Sequence, residues 1–363
     1  MSGTIDGARA SGGGADADAG RRVLREAIFG FARTQLVYVA AVLGIPEAIA
    51  AGITRPADLA DHVGADPDAL SRVLRGLAAA GVLAEGDDGG YVLTAAGEAL
   101  REDAPGSLRA FALSAGDEWY PVWGELLPAV RTGEVAFERV HGAPLFAWLA
   151  GHSEQVAAFN RRMVAATTGT AAAVLRAYDF SPYRVVVDLG GGLGVFLAAV
   201  LRAHPHLRGI LFDLPHVAPE ARRALDAAGV GDRCETVGGD FFADALPSAD
   251  AWIVSQILHD WDDERCLAIL RGVRRAIVPD GRLLVVEAVL PERVDGPSVA
   301  VDHDLLMLTI VGGRERTEAE YGALFAAAGF ALERVVPTAS FREAVVLVGR
   351  PIGGKDPTVG NAG

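Results

Sequence analysis

Two kinds of hydrophobic spacing divide the chain. From residue 21 to about 180, apolar positions recur at the three-and-four spacing of helices, with little sign of strands. From Val185 the pattern changes. Apolar runs, "RVVVDLGGGLG", "RGILFDLP", "AWIVSQIL" and "GRLLVVEAVL", alternate with helical stretches such as "VFLAAVLRAHP" and "TEAEYGALFAAAGF", and "EAVVLVGR" closes the series. Continuous apolar runs suit strands buried on both faces. Strand and helix alternation sustained over about 165 residues predicts a doubly wound parallel sheet.

Within the helical half, "TRPADLADHVGADPDALSRVLRGLAAAGVLAEGDDGGYVLTAAGEAL" follows a plan of its own. A short helix starts at Pro56 and turns at Gly64. A second opens with Asp66 as N-cap and Pro67 at the first helical position. "GVLAEGDDGGYVLT" then reads as two short strands around a Gly/Asp turn. Helix, turn, helix and β-wing make a winged helix. Many such modules bind DNA, but residues 46–110 carry 11 acidic and 5 basic residues, and the whole chain has a net charge of −14. Phosphate binding needs clustered Lys and Arg, so packing or dimerisation is the expected use and nucleic acid is not an expected partner.

At 363 residues, 51% of them hydrophobic and 22% charged, the chain is globular and long enough for two cores. Cys234 and Cys266 are its only cysteines and lack CxxC spacing, which argues against metal ribbons and disulfide frameworks and fits a reducing cytoplasm. "MSGTIDGARASGGGADADAG" has no apolar h-region and reads as a disordered tail, as does "GGKDPTVGNAG" at the other end. The longest apolar stretch, "LVYVAAVLGIPEAIAAG", is broken by Pro46 and too short to span a bilayer. Residues 111–165 hold three of the five Trp. Aromatics at helical spacing ordinarily form core, although a segment joining two domains is also where a flat apolar substrate would be enclosed.

The stretch Asp188-Leu-Gly190-Gly-Gly192-Leu-Gly194 fits D-x-G-x-G-x-G, whereas the dinucleotide fingerprint would place its third glycine at Val195. Glycines let a backbone turn tightly against a ligand. A strand–helix turn without a ligand would look similar, so the following strands matter. Asp213, 19 residues after Gly194, ends the next strand, where it can accept both hydroxyls of an adenosine ribose. One strand later comes "GGDFF", whose Asp240 can accept the adenine amino group while Phe241 packs on the ring. These positions favour an adenosine cofactor without a pyrophosphate, S-adenosylmethionine, over NAD.

"QILHDWDDE" ends an apolar strand on His259 and a run of carboxylates. Adjacent His259 and Asp260 should diverge at a strand end, with no second His or Cys at ligand spacing, and Asp302-His303-Asp304 has the same weakness; no metal is expected. Asp262 or Asp263 can cap the helix that follows. His259 is then either a satisfied structural histidine or a base. Glu287 interrupts the otherwise buried "LLVVEAVL", and a buried carboxylate is costly unless paired. It is placed to hold the imidazole proton, turning the opposite nitrogen to a substrate. Glu315, ahead of the expected N-cap Thr317, reads on its own as a loop charge.

With "DLGGGLG", "FDLPHV", "GGDFF", "ILHDWDDE", "VVEAVLP", "GGRERT" and "FNRRM" in hand, the chain resembles the caffeic-acid type of small-molecule O-methyltransferases, and within it the bacterial members that methylate aromatic polyketides such as anthracyclines and naphthoates. The resemblance runs from about Phe31 to Arg350. It implies a Rossmann-like catalytic domain that binds S-adenosylmethionine, a helical winged-helix dimerisation domain ahead of it, and a homodimer. It also implies cofactor roles for Gly190, Asp213, Asp240, Phe241 and Ser255, a general base at His259 with Glu287 and Glu315 as its carboxylate partners, and substrate contacts at Phe159, Met163 and Met307. Asp188, Gly192, Gly194, Leu214, Phe242, Gln256 and Trp261 extend the expected cofactor surface, and Trp119, Asn160 and Asp260 the expected acceptor surface. Ser255 and Gln256 stand where plant members usually have Lys and Trp, so plant phenylpropanoids are not assumed as substrates. One bacterial branch keeps the fold and cofactor for oxidative decarboxylation or hydroxylation and is the alternative within the family; a ligand-sensing regulator is the alternative outside it. The expected organisation is a tail at 1–20, the dimerisation domain at 21–110, a helical linker lining the substrate site at 111–180, the catalytic domain at 181–350 and a tail at 351–363.

Overall fold

The computed structural model describes residues 12–104 and 106–353. They form two compact units, Met1–Tyr120 and Pro121–Gly363. The expected linker at 111–180 is therefore divided: its first ten residues, Trp119 among them, belong to the first unit and the rest to the second.

The first unit starts with α1 (Gly12–Ile28) and α2 (Gly30–Leu43). Residues 12–20, expected to be disordered, are helical, because the Ala- and Asp-containing stretch ahead of Arg21 prolongs the helix; Asp18 and Arg21 pair across one turn at 2.9 Å. The expected disorder of residues 1–11 and 354–363 lies outside the described residues. Then come α3 (Ile45–Ala50), α4 (Pro56–Val63), α5 (Pro67–Ala79), the hairpin of β1 (Leu83–Glu85) and β2 (Tyr91–Leu93), α6 (Ala95–Glu98) and α7 (Arg109–Gly116). The Asp66 side chain accepts the Ala69 N–H at 2.8 Å, the cap that its sequence called for. Leu59, Leu70, Leu74, Leu77 and Tyr91 close the core of this winged helix.

Helix α8 (Tyr120–Trp123) straddles the boundary, and the second unit continues with the short helices α9 (Leu126–Thr132), α10 (Ala136–His141) and α11 (Leu145–Leu149), followed by the long α12 (Ser153–Ala177). The alternation then unfolds as β3 (Val185–Leu189), α13 (Val195–Ala203), β4 (Arg208–Asp213), α14 (Ala218–Ala227), β5 (Cys234–Gly238), β6 (Ala249–Ser255), α15 (Asp263–Ala276), β7 (Ile277–Leu290), α16 (Val299–Ile310), β8 (Arg316–Thr317), α17 (Glu318–Ala327), β9 (Phe330–Pro337) and β10 (Ala344–Pro351). The sheet order is β5-β4-β3-β6-β7-β10-β9. Strands β3 to β7 pair in parallel, but β10 runs antiparallel to both β7 and β9, so the sheet is mixed rather than wholly parallel. A loop of six residues between β9 and β10 is too short for a crossover and permits only a hairpin.

Side-chain alternation assigns the two faces. Val186, Leu284 and Val286 pack with α12, α13 and α14, while Val187, Leu189, Leu283 and Val285 pack with α15 and α17. Both faces are covered, which is why these strands are apolar throughout. No single helix among the described residues is long and apolar enough to cross a membrane; α1 and α2 approach that composition only as a pair, bent by 46°.

Candidate functional site

The site is built at the carboxyl ends of β3, β4, β6 and β7, where a doubly wound sheet leaves its crevice. After β3, the backbone is left-handed at Gly190, Gly192 and Gly194, with φ of 68°, 57° and 76°. A Cβ at Gly190 would fall 2.6 Å from Ile257 Cδ1, and one at Gly194 2.9 Å from Leu225 Cδ2, whereas Gly192 faces open space. Gly191, which the motif did not single out, is also confined: its Cβ would meet Leu211 at 2.4 Å and Asp188 at 2.6 Å.

Asp213, at the end of β4, accepts the Gly192 N–H at 2.7 Å through Oδ2 and the Leu214 N–H at 2.7 Å through Oδ1. Each carboxylate oxygen has a second lone pair left for a ligand. Asp240 is exposed and accepts the Phe242 N–H at 2.8 Å. Phe241, Phe242 and Trp261 meet edge to face, with Phe242 and Trp261 centroids 5.0 Å apart, and leave an apolar surface beside the turn. An open glycine, a carboxylate with spare acceptor capacity and an exposed aromatic surface fit an adenosine. Asp188 sits differently from the expectation that it contacts cofactor: it is 1% exposed, sealed beneath the turn. Burial, with the Asp213 charge adding to it, pushes its pKa up to about 7. Leu214 is exposed, and Ser255 ends β6 half-buried.

At Gln256 the chain leaves β6 with φ of 56°, and its Oε1 accepts from Arg342 of the β9–β10 loop. A 3-10 turn at Leu258–Asp260 follows. Glu287, fully buried in β7, holds this turn, because its Oε1 accepts the N–H groups of Ile257 and Leu258, each at 2.9 Å. Arg316, also fully buried, reaches the carbonyls of Leu258 and Trp261 at 3.0 and 2.8 Å and anchors on Asp263. Gly313 lies so close to His259 O that a Cβ there would fall 2.0 Å from it. Asp262 caps α15 through the Arg265 N–H, and Thr317 caps α17 in a capping box with Glu320.

His259 is thus held in place, 5% exposed. Its Nδ1 is 2.9 Å from Glu315 Oε1 and 3.2 Å from Glu287 Oε2. The sequence favoured Glu287 as the orienting carboxylate, but Glu315 makes the hydrogen bond and Glu287 adds charge from behind. Asp260 does not diverge from its neighbour: Oδ1 lies 3.6 Å from His259 Nε2. His303, set aside in the sequence, also belongs here, with Nδ1 2.6 Å from the same Glu315 oxygen. His259, His303 and Glu315 bring donor atoms within 4.8 Å of one another, a spacing that would admit a cation, but the two N···O distances are those of hydrogen bonds. Burial pulls the His259 pKa down, yet the charges of Glu287, Glu315 and Asp260 outweigh it and raise it to about 10. Burial pushes Glu315 up, but His259 and both imidazole bonds pull it down, to about 2. Burial dominates at Glu287 and raises it to about 7.

On α12, Phe159 and Met163 share a face, half-buried beside Asn160, with the Arg162 guanidinium 5.1 Å above the Phe159 ring. Met307 lies one turn beyond His303 on the same face of α16. Trp119, in the first unit, packs edge-on against Phe111 with centroids 5.2 Å apart. His303 had one signal in the sequence, a lone imidazole inside the apolar "VAVDHDLLMLTI"; Arg342 and Ile257 had none.

A glycine turn with an acid on the next strand, and beyond it a buried imidazole paired with carboxylates, fits a group-transfer enzyme that uses an adenosine cofactor. Comparison with known proteins gives the group transferred: residues 123–331 match the O-methyltransferase domain and residues 25–103 the O-methyltransferase dimerisation domain, and the chain belongs to that family. It is 47% identical over 318 residues to a phenazine O-methyltransferase of Lysobacter antibioticus, covering 88% of this chain and 93% of that protein. It is 42% identical over 319 residues to a 3-amino-4-hydroxybenzoate 4-O-methyltransferase of Streptomyces cremeus, covering 87% of each. Among solved structures it is similar to an O-methyltransferase of neocarzinostatin biosynthesis in complex with S-adenosylmethionine and 2-hydroxy-5-methyl naphthoic acid, with a TM-score of 0.72, 35% identity and 88% and 96% of the two chains covered. These relatives favour methyl transfer over the oxidative and regulatory alternatives.

Proposed function

We propose that this O-methyltransferase acts on a phenolic hydroxyl of a small aromatic natural product of the polyketide or naphthoate class, with His259 as its general base. The carrying observation is a buried imidazole whose Nδ1 is bonded to Glu315 at 2.9 Å, with Glu287 behind it. A carboxylate oxygen only accepts, so Nδ1 carries hydrogen and Nε2 is the atom available to an acceptor. S-adenosylmethionine is the methyl donor: it would supply a sulfonium methyl for in-line transfer to the acceptor oxygen, with S-adenosylhomocysteine as the leaving group. Gly190, Gly192, Asp213, Asp240 and Phe241 are the residues we assign to holding it. Phe159, Met163 and Met307 supply an apolar wall for a flat ring, and no metal is required.

A phenol ionises near pH 10. The raised pKa of His259, also about 10, makes proton transfer from such a phenol nearly balanced, which an ordinary imidazole near 6.5 would not achieve. The reactive form is the neutral imidazole with Nε2 free, and its fraction grows as pH rises. We further propose a homodimer in the cytoplasm, with no nucleic-acid or membrane partner. The test is incubation with labelled cofactor and a panel of hydroxybenzoates, hydroxynaphthoates, hydroxyphenazines and anthracyclines, read by product mass. A singly methylated phenol is expected. His259→Ala should lower turnover about 10²–10⁴-fold with cofactor affinity nearly unchanged. Near wild-type turnover in that variant at neutral pH would make His259 structural.

A further inference from the structure

Glu315 Oε1 serves two imidazoles at once: His259 Nδ1 at 2.9 Å and His303 Nδ1 at 2.6 Å. Both rings are buried, their centroids 5.3 Å apart. An ionised carboxylate cannot donate, so each Nδ1 carries a hydrogen. A second donor on the same oxygen draws electron density from the first bond. The shorter bond goes to His303, so His303 takes the larger share.

We propose that His303 is a positioning residue for methyl transfer: by dividing Glu315 Oε1 between two imidazoles, it orients the carboxylate and limits how tightly His259 holds its proton. Glu315 is fixed from the other side by its own N–H, which donates to Asp304 Oδ1 at 2.8 Å. His303 and Asp304 are neighbours on α16, so one helix sets both the position and the charge density of the carboxylate. The other ionisable groups bearing on the cluster are Glu287 of β7, Asp260 of the 3-10 turn, Arg342 of the β9–β10 loop and Tyr321 of α17. His303 itself stays neutral, because burial lowers its pKa more than the Glu315 bond raises it. It can therefore act as a fixed donor across the working pH range.

The catalytic consequence rests on His259 being the base; the consequence for its protonation does not. The experiment uses the full-length enzyme with ¹⁵N,¹³C-labelled histidine. In the wild type, ring nitrogen shifts should report His303 neutral with hydrogen on Nδ1; the opposite tautomer would overturn the proposal without any variant. His303→Leu, close in volume but without a donor, should leave His259 largely protonated at a pH where the wild-type ring is half titrated. His303→Asn, which keeps an N–H, should stay near wild type. At pH 8 the Leu variant should lose about 3–10-fold in kcat/KM and regain most of it on the alkaline side, with KM for cofactor unchanged. An unmoved His259 titration in the Leu variant, or an Asn variant that behaves like Leu, would overturn the idea. If the titration moves and the rate profile does not, His303 still tunes the imidazole, and it is the assignment of His259 as base that fails.

Discussion

A carboxylate surrounded by imidazoles sets its partners' basicity through its charge, and this gives the residue scale its sharpest pH prediction. Removing the charge with Glu315→Gln keeps an acceptor oxygen but takes away part of what holds the His259 pKa up. The rising limb of kcat/KM against pH should lie above the ordinary imidazole value near 6.5 in the wild type and move down toward it by about 1 unit or more in the variant. A limb already near 6.5 in the wild type would show that the carboxylates do not raise the His259 pKa. Asp188 is another buried group with a displaced pKa, raised to about 7 with one oxygen unpaired beneath the glycine turn. A carboxyl whose folded pKa lies above its unfolded value near 3.9 binds more protons folded than unfolded between those two pH values. Its stabilising contribution is complete below about pH 4 and is lost as pH rises through 7, at up to about 1.4 kcal/mol per pH unit. Urea unfolding of wild type and Asp188→Asn across pH 4–8 should therefore show the wild-type curve falling relative to the variant; parallel curves would remove the effect. Residue roles were only partly legible in the sequence. Glu287 announced itself by interrupting an apolar strand, but Glu315 and His303 gained their meaning only when α16 and the loop before β8 folded against the 3-10 turn.

Among elements, the glycine turn and the strand end beside it behave as one piece. Asp213 ties the two together through the Gly192 and Leu214 N–H groups while keeping lone pairs for a ribose. Charge-assisted hydrogen bonds contribute roughly 1.5–3 kcal/mol each. Asp213→Ala should therefore weaken S-adenosylmethionine binding by at least about tenfold by calorimetry, with circular dichroism unchanged. Asp213→Asn, which keeps one acceptor, should lose less; equal affinity in all three proteins would remove the ribose role. Elements with periodic patterns, such as α4, α5, α15, β3, β4, β6 and β7, were readable in the sequence because one property, burial of a face, determines them. The strand β9 was missed and the antiparallel sense of β10 with it. "FALERVVP" mixes exposed and half-buried positions, and strand direction depends on loop length and neighbours rather than on composition. The pins of the 3-10 turn were equally hidden, since Arg316 and Gly313 matter only through carbonyls more than 50 residues away.

For the whole molecule, the open question is what covers the amino-terminal helices. Val23, Leu24 and Ile28 on α1, Phe29 just after it and Phe31 at the start of α2 are each more than half exposed. Residues 25–103 match a dimerisation domain, and in the homodimer proposed above a second copy of the chain would cover that surface. Each chain carries a net charge of −14, so two copies repel at long range while the apolar contact attracts at short range. Salt screens the first and leaves the second, so the dimer should tighten between about 0.02 and 0.15 M salt, opposite to an interface made of ion pairs. Light scattering should give twice the chain mass at micromolar concentration. Leu24→Glu together with Phe31→Glu, which places like charges in the contact, should give a monomer that keeps the second unit's secondary structure. A wild-type monomer under these conditions would sink the dimer, and a dimer that loosens with added salt would move its interface away from α1 and α2.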